Sequence, residues 1–513
     1  MPPGRRPPGR LPPGRPPPGR PPPGRLRGLG SLGALGALGT LASILMVGGA
    51  IQAGSPFALK RPGAWFFGNA GPSIGPAVSF HAYALPAILV VCAGACLSVF
   101  AWYRLVKHLR LRPGTPVGRV VAVLAAWAAP LLVGPPLFSH DIYIYAALGA
   151  MVGHGVNPYH VDIGHFASQS YVSLVDPLWR TSKSPYGPAF LGLCGLLARL
   201  SGYDVTTTVI AIRLVEVVAL AGLAWCVVGL ARAHARDPAE VLGLTMCNPV
   251  VVLGLIGAGH NDPLMLLGLV GGILLAKRGH PVLGVVACAL ATAIKFPAGL
   301  GIAFIGWNWL GPGVGWRRRV PTLVAAGVIG GVVLEALALV TGLGWGWLRT
   351  TGTPGLVFNP IDPSTAVGLL AWVIPHALGS GVGRHSVLGV AHYVGDAVAA
   401  AVCVVLGWRS PSPAQPHPGP APRGSSPSPG RPAPSPPSTS PSIGKSGSGP
   451  PQPGPGWVRA LGICLFAVAA LGPTFQPWYF SWALVLLLPL ASGRLRSSLL
   501  GLSVFAGLYC IVP

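Results

Sequence analysis

The stretch RVVAVLAAWAAPLLVGPPLFSHDIYIYAALGAMVG, residues 119–153, predicts a membrane span followed by a polar site. Its first part is an apolar run that ends at Phe138 and is about as long as the roughly 20 residues that cross a bilayer as a helix. His140 and Asp141 stand directly behind this run, and Asp141 is the first acidic residue of the chain. Because a carboxylate is costly where a membrane span meets water, Asp141 indicates a functional site.

The whole chain has the composition of a membrane protein. Of its 513 residues, 51% are hydrophobic and only 9% are charged, whereas a soluble domain carries about 25% charged residues. We therefore predict an all-α polytopic membrane protein, a bundle of about 12–14 transmembrane helices with a large first external loop. The stretch 282–310 is long for one crossing. We expect it to form two short helices broken at Lys295-Phe296-Pro297, because proline cannot continue a helical ladder.

The net charge of +24 follows the membrane topology and does not indicate nucleic-acid binding. Basic residues concentrate at the N-terminus, in a Pro/Ser-rich linker and in short loops, which is the pattern of the positive-inside rule. We predict a disordered Pro/Gly/Arg arm in the cytoplasm (1–27), a transmembrane catalytic block (28–408), a disordered linker (409–456) and a C-terminal transmembrane module (457–513). The predicted location is the cell membrane, where the same basic residues contact anionic lipids.

The longest polar loop, 139–186, is predicted to face outward. It holds three carboxylates and four imidazoles, namely Asp141, Asp162, Asp176, His140, His154, His160 and His165. A polar loop of this length in a compact membrane protein is usually functional. Asp141 begins a predicted short helix (141–153), and its carboxylate either caps that helix or acts on a substrate.

Aromatic side chains near Asp141 favour the second interpretation. Tyr143, Tyr145 and Trp179 offer flat faces and polar edges of the kind that saccharides contact. The turn 157–159 (Asn-Pro-Tyr) could aim a side chain into the same cavity.

Two charged sites interrupt later apolar stretches. His260, Asn261 and Asp262 stand together between two apolar runs, and Asp262 either caps the helix that begins there or lines a cavity with its neighbours. Lys295 lies in the apolar stretch ATAIKFPAG (291–299). It either extends to the membrane interface or meets a partner or a substrate phosphate.

Two further stretches also allow two interpretations. Arg349, beside two tryptophans, either anchors the chain at the membrane interface or contacts a phosphate. The turn that holds Gln476, Trp478 and Tyr479 is either part of an interfacial aromatic belt or the rim of a substrate cavity.

Metal and cysteine chemistry are not predicted. All nine cysteines lie in apolar segments without metal-binding spacing or an obvious disulfide pairing. Asp396 is interpreted as a loop or helix-end residue.

Six motifs in order resemble the polyprenol-phosphomannose-dependent α-1,6-mannosyltransferases of actinobacteria, which belong to the GT-C class of polytopic glycosyltransferases. The motifs are SHDIYIYAALG (139–149), NPY (157–159), SPYGP (184–188), GHNDPLML (259–266), ATAIKFP (291–297) and FQPWYFSW (475–482). The resemblance extends from about residue 30 to the C-terminus, apart from the 409–456 linker.

The resemblance implies that Asp141, in the first large external loop, is the catalytic base. It implies polyprenyl-phosphate mannose as the donor and the α-1,6-mannan core of a lipomannan-type glycolipid as the acceptor, at the outer face of the membrane. Many GT-C proteins have two adjacent acids in this loop, whereas this chain has His140-Asp141, which favours a mechanism without metal or other cofactor. The candidate substrate-binding residues are His140, Tyr143, Tyr145, Asn157, Tyr159, Tyr186, His260, Asn261, Asp262, Lys295, Arg349, Gln476, Trp478 and Tyr479.

The implied chemistry needs one carboxylate. Phosphate leaves without being protonated, so a single base on the opposite face of the sugar can take the proton of the acceptor hydroxyl, with inversion at the anomeric carbon. Lys295 or Arg349 could stabilise the departing phosphate.

The main alternative from another class is a transporter or flippase of a lipid-linked sugar, which would have inverted repeats that we do not find between the halves of this sequence. A GT-C enzyme that uses another polyprenyl-phosphate sugar, such as arabinose, is a second alternative. A non-catalytic partner in cell-envelope assembly is a third.

Overall fold

The computed structural model describes residues 25–52, 55, 80–166, 168–356, 358–359, 361–410 and 456–511. Every regular element within these ranges is helical, which confirms the predicted all-α class. The predicted arm and linker lie outside the described residues except at their inner ends. Helix α1 begins at Arg25, so the last residues of the predicted arm, 25–27, are helical.

The helices of the described ranges are named in chain order. The α-helices are α1 (Arg25–Ala50), α2 (Phe80–Leu111), α3 (Val117–Val133), α4 (Asp141–Gly153), α5 (Gln169–Val172), α6 (Pro177–Arg180), α7 (Pro188–Leu200), α8 (Val205–Ala233), α9 (Pro238–Thr245), α10 (Asp262–Lys277), α11 (Pro281–Thr292), α12 (Gly299–Asn308), α13 (Trp316–Thr341), α14 (Pro363–Ala377), α15 (Arg384–Arg409), α16 (Gly456–Leu471), α17 (Phe480–Leu487) and α18 (Gly493–Tyr509). A π-helical segment covers Val250–Gly257, and single 3₁₀ turns cover Ile163–His165, Phe296–Ala298, Gly346–Arg349, Thr353–Leu356 and Pro477–Tyr479.

The protein is a polytopic membrane protein. Helices α1, α2, α8, α13 and α15 each contain a segment long and apolar enough to cross a membrane, and α9 with the π-helical segment forms a sixth candidate that is bent by 60°. Most of the other apolar helices have only 10–17 residues. Within the described residues, length and composition therefore support five or six crossings, where the sequence predicted about 12–14. The difference arises because prolines and glycines divide many of the apolar stretches into short helices.

The predicted break at Lys295 is present, and it forms the tip of a helical hairpin. Helix α11 ends at Thr292, which lies against Gly299 at the start of α12, and Cys288 lies against Gly301 one turn further back. The two helices therefore run antiparallel. At 1.5 Å per residue they are about 18 Å and 15 Å long, roughly half of the apolar thickness of a bilayer.

Close contacts hold the helices of the N-terminal block together and join the C-terminal helices to it. A Cβ atom on Gly149 of α4 would lie 2.6 Å from the carbonyl oxygen of Cys194 on α7, so only glycine allows this approach. Arg496 of α18 donates to Glu240 of α9. The C-terminal helices thus pack directly on the N-terminal block.

Candidate active site

A cavity of about 1150 Å³ lies between the loop 139–186, the tip of the α11–α12 hairpin, the turn 472–482 and helix α15. Charged and aromatic side chains share its lining, namely His140, Asp141, Asp176, Trp179, Lys183, Tyr186, Lys295, Asp396, Trp478, Tyr479 and Trp482. An apolar wall comes from α12, α15 and α16 through Leu300, Ala400, Val404 and Val468. The cavity can therefore accept a molecule that is polar at one end and apolar at the other.

Asp141 presents its carboxylate to this cavity. It is the first residue of α4, as predicted, and its own N–H donates to Ser139 Oγ over 3.2 Å. Helix α4 has no side-chain cap, so the carboxylate of Asp141 does not cap the helix. Asp141 Oδ2 lies 3.2 Å from His260 Nδ1, an ion-pair distance, and the side chain of Asp141 is 20% exposed.

The surroundings keep Asp141 ionised. Burial raises the pKa of this carboxyl, but the contact and electrostatic interaction with His260 and the nearby Lys295 outweigh burial, so its pKa lies below the usual value. The group is therefore a carboxylate at neutral pH and can accept a proton.

His260 lies behind Asp141 and is fully buried. Its ring stacks on Trp478, with the ring centroids 3.9 Å apart and the planes inclined by 20°. The preceding residue, Gly259, has a φ of 74°, a left-handed conformation that glycine adopts without strain. The motif around residues 259–262 and the aromatic turn near the C-terminus thus meet at the candidate base, although they are far apart in sequence.

Lys295, at the hairpin tip, forms a buried ion pair with Asp262. Its Nζ donates to both carboxylate oxygens, over 2.9 Å and 3.0 Å, and Trp482 Nε1 donates to the same carboxylate. The Nζ atom also lies 4.6 Å from the centre of the Tyr479 ring and 5.4 Å from that of Trp482. Asp262 is the first residue of α10, but its carboxylate binds Lys295 and does not cap the helix. Lys295 thus meets a protein partner, which is one of the alternatives that the sequence left open.

The SPYGP motif joins the loop 139–186 to this hairpin. The N–H of Gly187 donates to the carbonyl of Ile294 over 3.1 Å, and the N–H of Ala189 donates to that of Ala293 over 3.0 Å. A Cβ atom on Gly187 would collide with the Ala293 carbonyl, so only glycine fits there. This pairing places Tyr186 in the cavity wall beside Lys295.

Two parts of the chain match family models. Residues 36–311, more than half of the chain, match the model described as α-(1→6)-mannopyranosyltransferase, N-terminal domain. The chain belongs to the α-(1→6)-mannopyranosyltransferase family. Residues 455–512 match the MptB C-terminal domain. These matches confirm the resemblance carried by the six motifs and make the protein a mannosyltransferase.

Curated relatives cover most of the chain. The α-(1→6)-mannopyranosyltransferase A of Mycobacterium tuberculosis is 28% identical over 425 residues, which are 81% of this chain and 73% of that protein. A probable α-(1→6)-mannopyranosyltransferase of Mycolicibacterium smegmatis is 26% identical over 453 residues, 81% and 72% of the two chains. The α-(1→6)-mannopyranosyltransferase B of Corynebacterium glutamicum is 25% identical over 435 residues, 79% and 65% of the two chains. No solved structure matches the chain significantly.

Seven of the predicted site residues of this mannosyltransferase line the cavity. They are His140, Asp141, Tyr186, Lys295, Gln476, Trp478 and Tyr479. His260, Asn261 and Asp262 are fully buried directly behind Asp141 and Lys295.

The remaining predicted site residues lie farther back. Tyr143 and Tyr145 are 2% and 0% exposed, so neither offers a ring face to a sugar. The hydroxyl of Tyr145 makes long contacts of 3.5 Å to Asp141 Oδ2 and to Asn261 Oδ1. Asn157 donates to the carbonyl of Leu343.

Tyr159 and Arg349 also lie apart from the cavity lining. The hydroxyl of Tyr159 donates to the carbonyl of Tyr186 over 2.8 Å, which braces the cavity wall from behind. Arg349 is exposed, and only the nearby Thr351 and Gly352 reach the lining.

The sequence interpretation missed or misplaced three charged residues of this mannosyltransferase. Asp396 is not at a helix end, because it lies within α15 and lines the cavity. Arg213 and Glu216 are buried in α8 and were assigned no role. The signal was available, since charges inside an apolar span usually have a partner or a function. Within the described ranges, no group of three or more His, Cys, Asp or Glu side chains is placed to hold a metal ion, and the metal-independent mechanism stays a prediction.

Proposed function

We propose that Asp141 is the catalytic base of an inverting transfer of mannose from polyprenyl-phosphate mannose to the α-1,6-mannan core of a lipomannan-type glycolipid. The observation that carries this proposal is an ionised carboxylate that faces a cavity of about 1150 Å³ and is held 3.2 Å from a fully buried histidine. Family membership supplies the sugar and the linkage. The donor, the acceptor and the roles of individual residues are our proposals.

The charge arrangement supports general-base chemistry. A base with a low pKa is ionised before the acceptor binds, and His260 on its far side stabilises the carboxylate in place. The acceptor hydroxyl attacks the anomeric carbon as its proton moves to Asp141, and the polyprenyl phosphate leaves with the electron pair of the broken C–O bond. Attack opposite the leaving group converts a β-linked mannosyl phosphate into an α-mannoside.

The cavity lining supports a lipid-phosphate donor. Lys295 stands in the lining, and after binding both oxygens of Asp262 its ammonium can still direct an N–H toward a phosphate. Lys183 offers a second, exposed ammonium in the same lining. The apolar wall at Leu300, Ala400 and Val404 matches a polyprenyl chain. We place this cavity at the outer face of the membrane, following the basic loops on the other side.

The acceptor is expected beside the aromatic lining of the loop 139–186. Trp179 is half-buried and lines the cavity together with Asp176. A flat indole face next to a carboxylate is suited to binding a mannose ring and its hydroxyls.

The test is transfer of labelled mannose from polyprenyl-phosphate mannose to an α-1,6-mannoside in membranes that contain the wild type, Asp141→Asn or Asp162→Asn. Asp162 is a matched control in the same loop, because its carboxylate binds the backbone and ring of His165 and does not line the cavity. We expect Asp141→Asn to lose about 10²–10⁴-fold in kcat and Asp162→Asn to keep near-wild-type transfer. Equal transfer by the wild type and Asp141→Asn would remove Asp141 as the base. Transfer of another sugar but not of mannose would overturn the donor.

A further inference from the structure

Arg213, in the middle of α8, is a buried cation that binds four backbone carbonyls. Its Nη1 donates to Leu132 over 3.2 Å and to Gly134 over 2.7 Å. Its Nη2 donates to Leu131 over 2.9 Å and to Ile256 over 3.3 Å. One guanidinium thus joins two segments that are more than 120 residues apart in sequence.

Each of these segments leads into one half of the Asp141–His260 contact. Leu131, Leu132 and Gly134 close α3 and are followed by Asp141, and Ile256 closes the π-helical segment that is followed by His260. A further hydrogen bond of 2.9 Å, from the N–H of Leu137 to the carbonyl of Gly257, ties the two segments together between the guanidinium and the site.

The backbone between Arg213 and the site is in an unfavourable conformation. Phe138 has a φ of 68°, a left-handed conformation that is rare for an aromatic residue. Its ring packs against the position of Gly257, 3.7 Å from where a Cβ atom would lie. Such a conformation persists only when the surrounding contacts hold both of its ends. The carbonyls that bind Arg213 lie just before Phe138, and Asp141 lies just after it.

Glu216 is a second buried polar side chain beside Arg213 on α8. It lies one turn later on α8 and is also buried, and the two side chains interact electrostatically. Its Oε2 would lie 3.4 Å from a Cβ atom at Gly259, so the carboxylate sits against the backbone that carries His260. Both of these buried side chains therefore adjoin the segments that bring Asp141 and His260 together.

We infer that Arg213 is a positioning residue, which holds the Asp141 segment and the His260 segment in register so that the carboxylate meets the imidazole. This inference rests on the proposed role of Asp141 as the base. Glu216 lies against the backbone at Gly259, on the His260 side of the same contact. Neither residue lines the cavity, so both act on the reaction through the position of Asp141.

Arg319 provides a matched control. It is also a buried arginine that binds backbone carbonyls, those of Trp307, Gly311 and Val314. These carbonyls belong to the end of α12 and to the turn that joins it to α13, and none leads to Asp141. Replacing Arg319 therefore removes an equivalent structural contact without disturbing the Asp141–His260 register.

The experiment compares Arg213→Gln, Arg213→Lys, Arg319→Gln and Asp141→Asn with the wild type, using the full chain in lipid nanodiscs. Binding of labelled polyprenyl-phosphate mannose counts the folded sites and gives the donor Kd, and initial rates with a synthetic α-1,6-mannoside give kcat per site. We expect Arg213→Gln to keep the donor Kd within about twofold and to lose roughly 10- to 100-fold in kcat per site, because a small misplacement of a reacting group costs about that much. Lysine keeps the charge but cannot reach four carbonyls, so the kcat per site of Arg213→Lys should lie between those of Arg213→Gln and the wild type. Arg319→Gln should at most lower the number of donor-binding sites and should keep the wild-type kcat per site.

The outcomes separate this inference from the proposed function. If Asp141→Asn is inactive while Arg213→Gln and Arg213→Lys keep the wild-type kcat per site, Arg213 is only structural and the inference is overturned. If Asp141→Asn retains full kcat, the proposed base falls, and the inference falls with it. If Arg213→Gln yields no donor-binding sites, Arg213→Lys decides alone. A lowered kcat per site supports the inference, and a wild-type kcat per site overturns it.

Discussion

Replacing Lys295 with methionine removes the cation from the tip of the α11–α12 hairpin and leaves the carboxylate of Asp262 without its main partner. Asp262 is fully buried, and Lys295 is only 12% exposed. Both oxygens of Asp262 accept hydrogen bonds from the ammonium, within 3.0 Å. Because the Asp262 side chain is closed off from solvent, water does not readily replace these bonds. Trp482 would remain as a single donor to this carboxylate.

The magnitude follows from the burial of the pair. Removing one partner of a buried ion pair costs about 3–5 kcal/mol, because an uncompensated charge stays in a medium that solvates it poorly. Removing both charges costs far less, since nothing charged is left to solvate. We therefore expect Lys295→Met and Asp262→Asn each to be strongly destabilised, and the double variant to be more stable than either single variant.

The assay is reversible unfolding by a denaturing detergent in mixed micelles, followed by tryptophan fluorescence. Lys183→Met serves as the control, because Lys183 lines the same cavity but is exposed, and its free energy of unfolding should be within about 0.5 kcal/mol of the wild type. A Lys295→Met variant as stable as the wild type would show that the ion pair is not stabilising, as would a double variant less stable than both single ones. If a stable double variant still transfers mannose at the wild-type rate, contact between Lys295 and the donor phosphate is excluded.

Two further predictions concern the base and the loop that faces it. Asp141 must be ionised to accept a proton, so transfer is lost as the pH falls through its pKa. Since His260 lowers that pKa, His260→Ala should move the acid limb of the kcat–pH profile to higher pH, and an unmoved limb would contradict this account. Gly187→Ala should lower the free energy of unfolding by about 1–3 kcal/mol and also lower mannose transfer, because the new Cβ atom would strike the carbonyl of Ala293. Gly118→Ala is the control, since its Cβ atom would lie in open space. Thermal unfolding and transfer should both be unchanged in this control.

Local features of the site were predictable from the sequence. The break at Lys295 was correctly predicted, since Pro297 cannot continue the helix of α11. The start of α4 at Asp141 was correctly predicted as well, because a polar residue followed by an apolar run is a typical helix start.

Long-range pairings were not predictable. The sequence marked both Asp262 and Lys295 as unusual charges, but it did not reveal that they bind each other. It likewise gave no sign that His260 would lie between Asp141 and Trp478. Each of these contacts depends on how separate helices pack, and helix packing depends on the shapes of many side chains at once.

Arg213 shows a different limit of sequence analysis. Its position in an apolar helix is visible in the sequence, and so is Glu216 three residues later. The function of the pair depends on backbone carbonyls, which every residue possesses and no motif records. The structure alone shows that these carbonyls precede Asp141 and His260.

The α11–α12 hairpin also bears on the order in which the protein is made. Neither arm is long enough to cross a bilayer alone, and the tip between them carries a charge. Asp262 precedes Lys295 by 33 residues, so the ribosome has already delivered the carboxylate, on the neighbouring helix α10, when the lysine emerges. The hairpin can therefore enter the membrane with its charge already paired. Trp482, which also donates to Asp262, is made only after both residues of this pair.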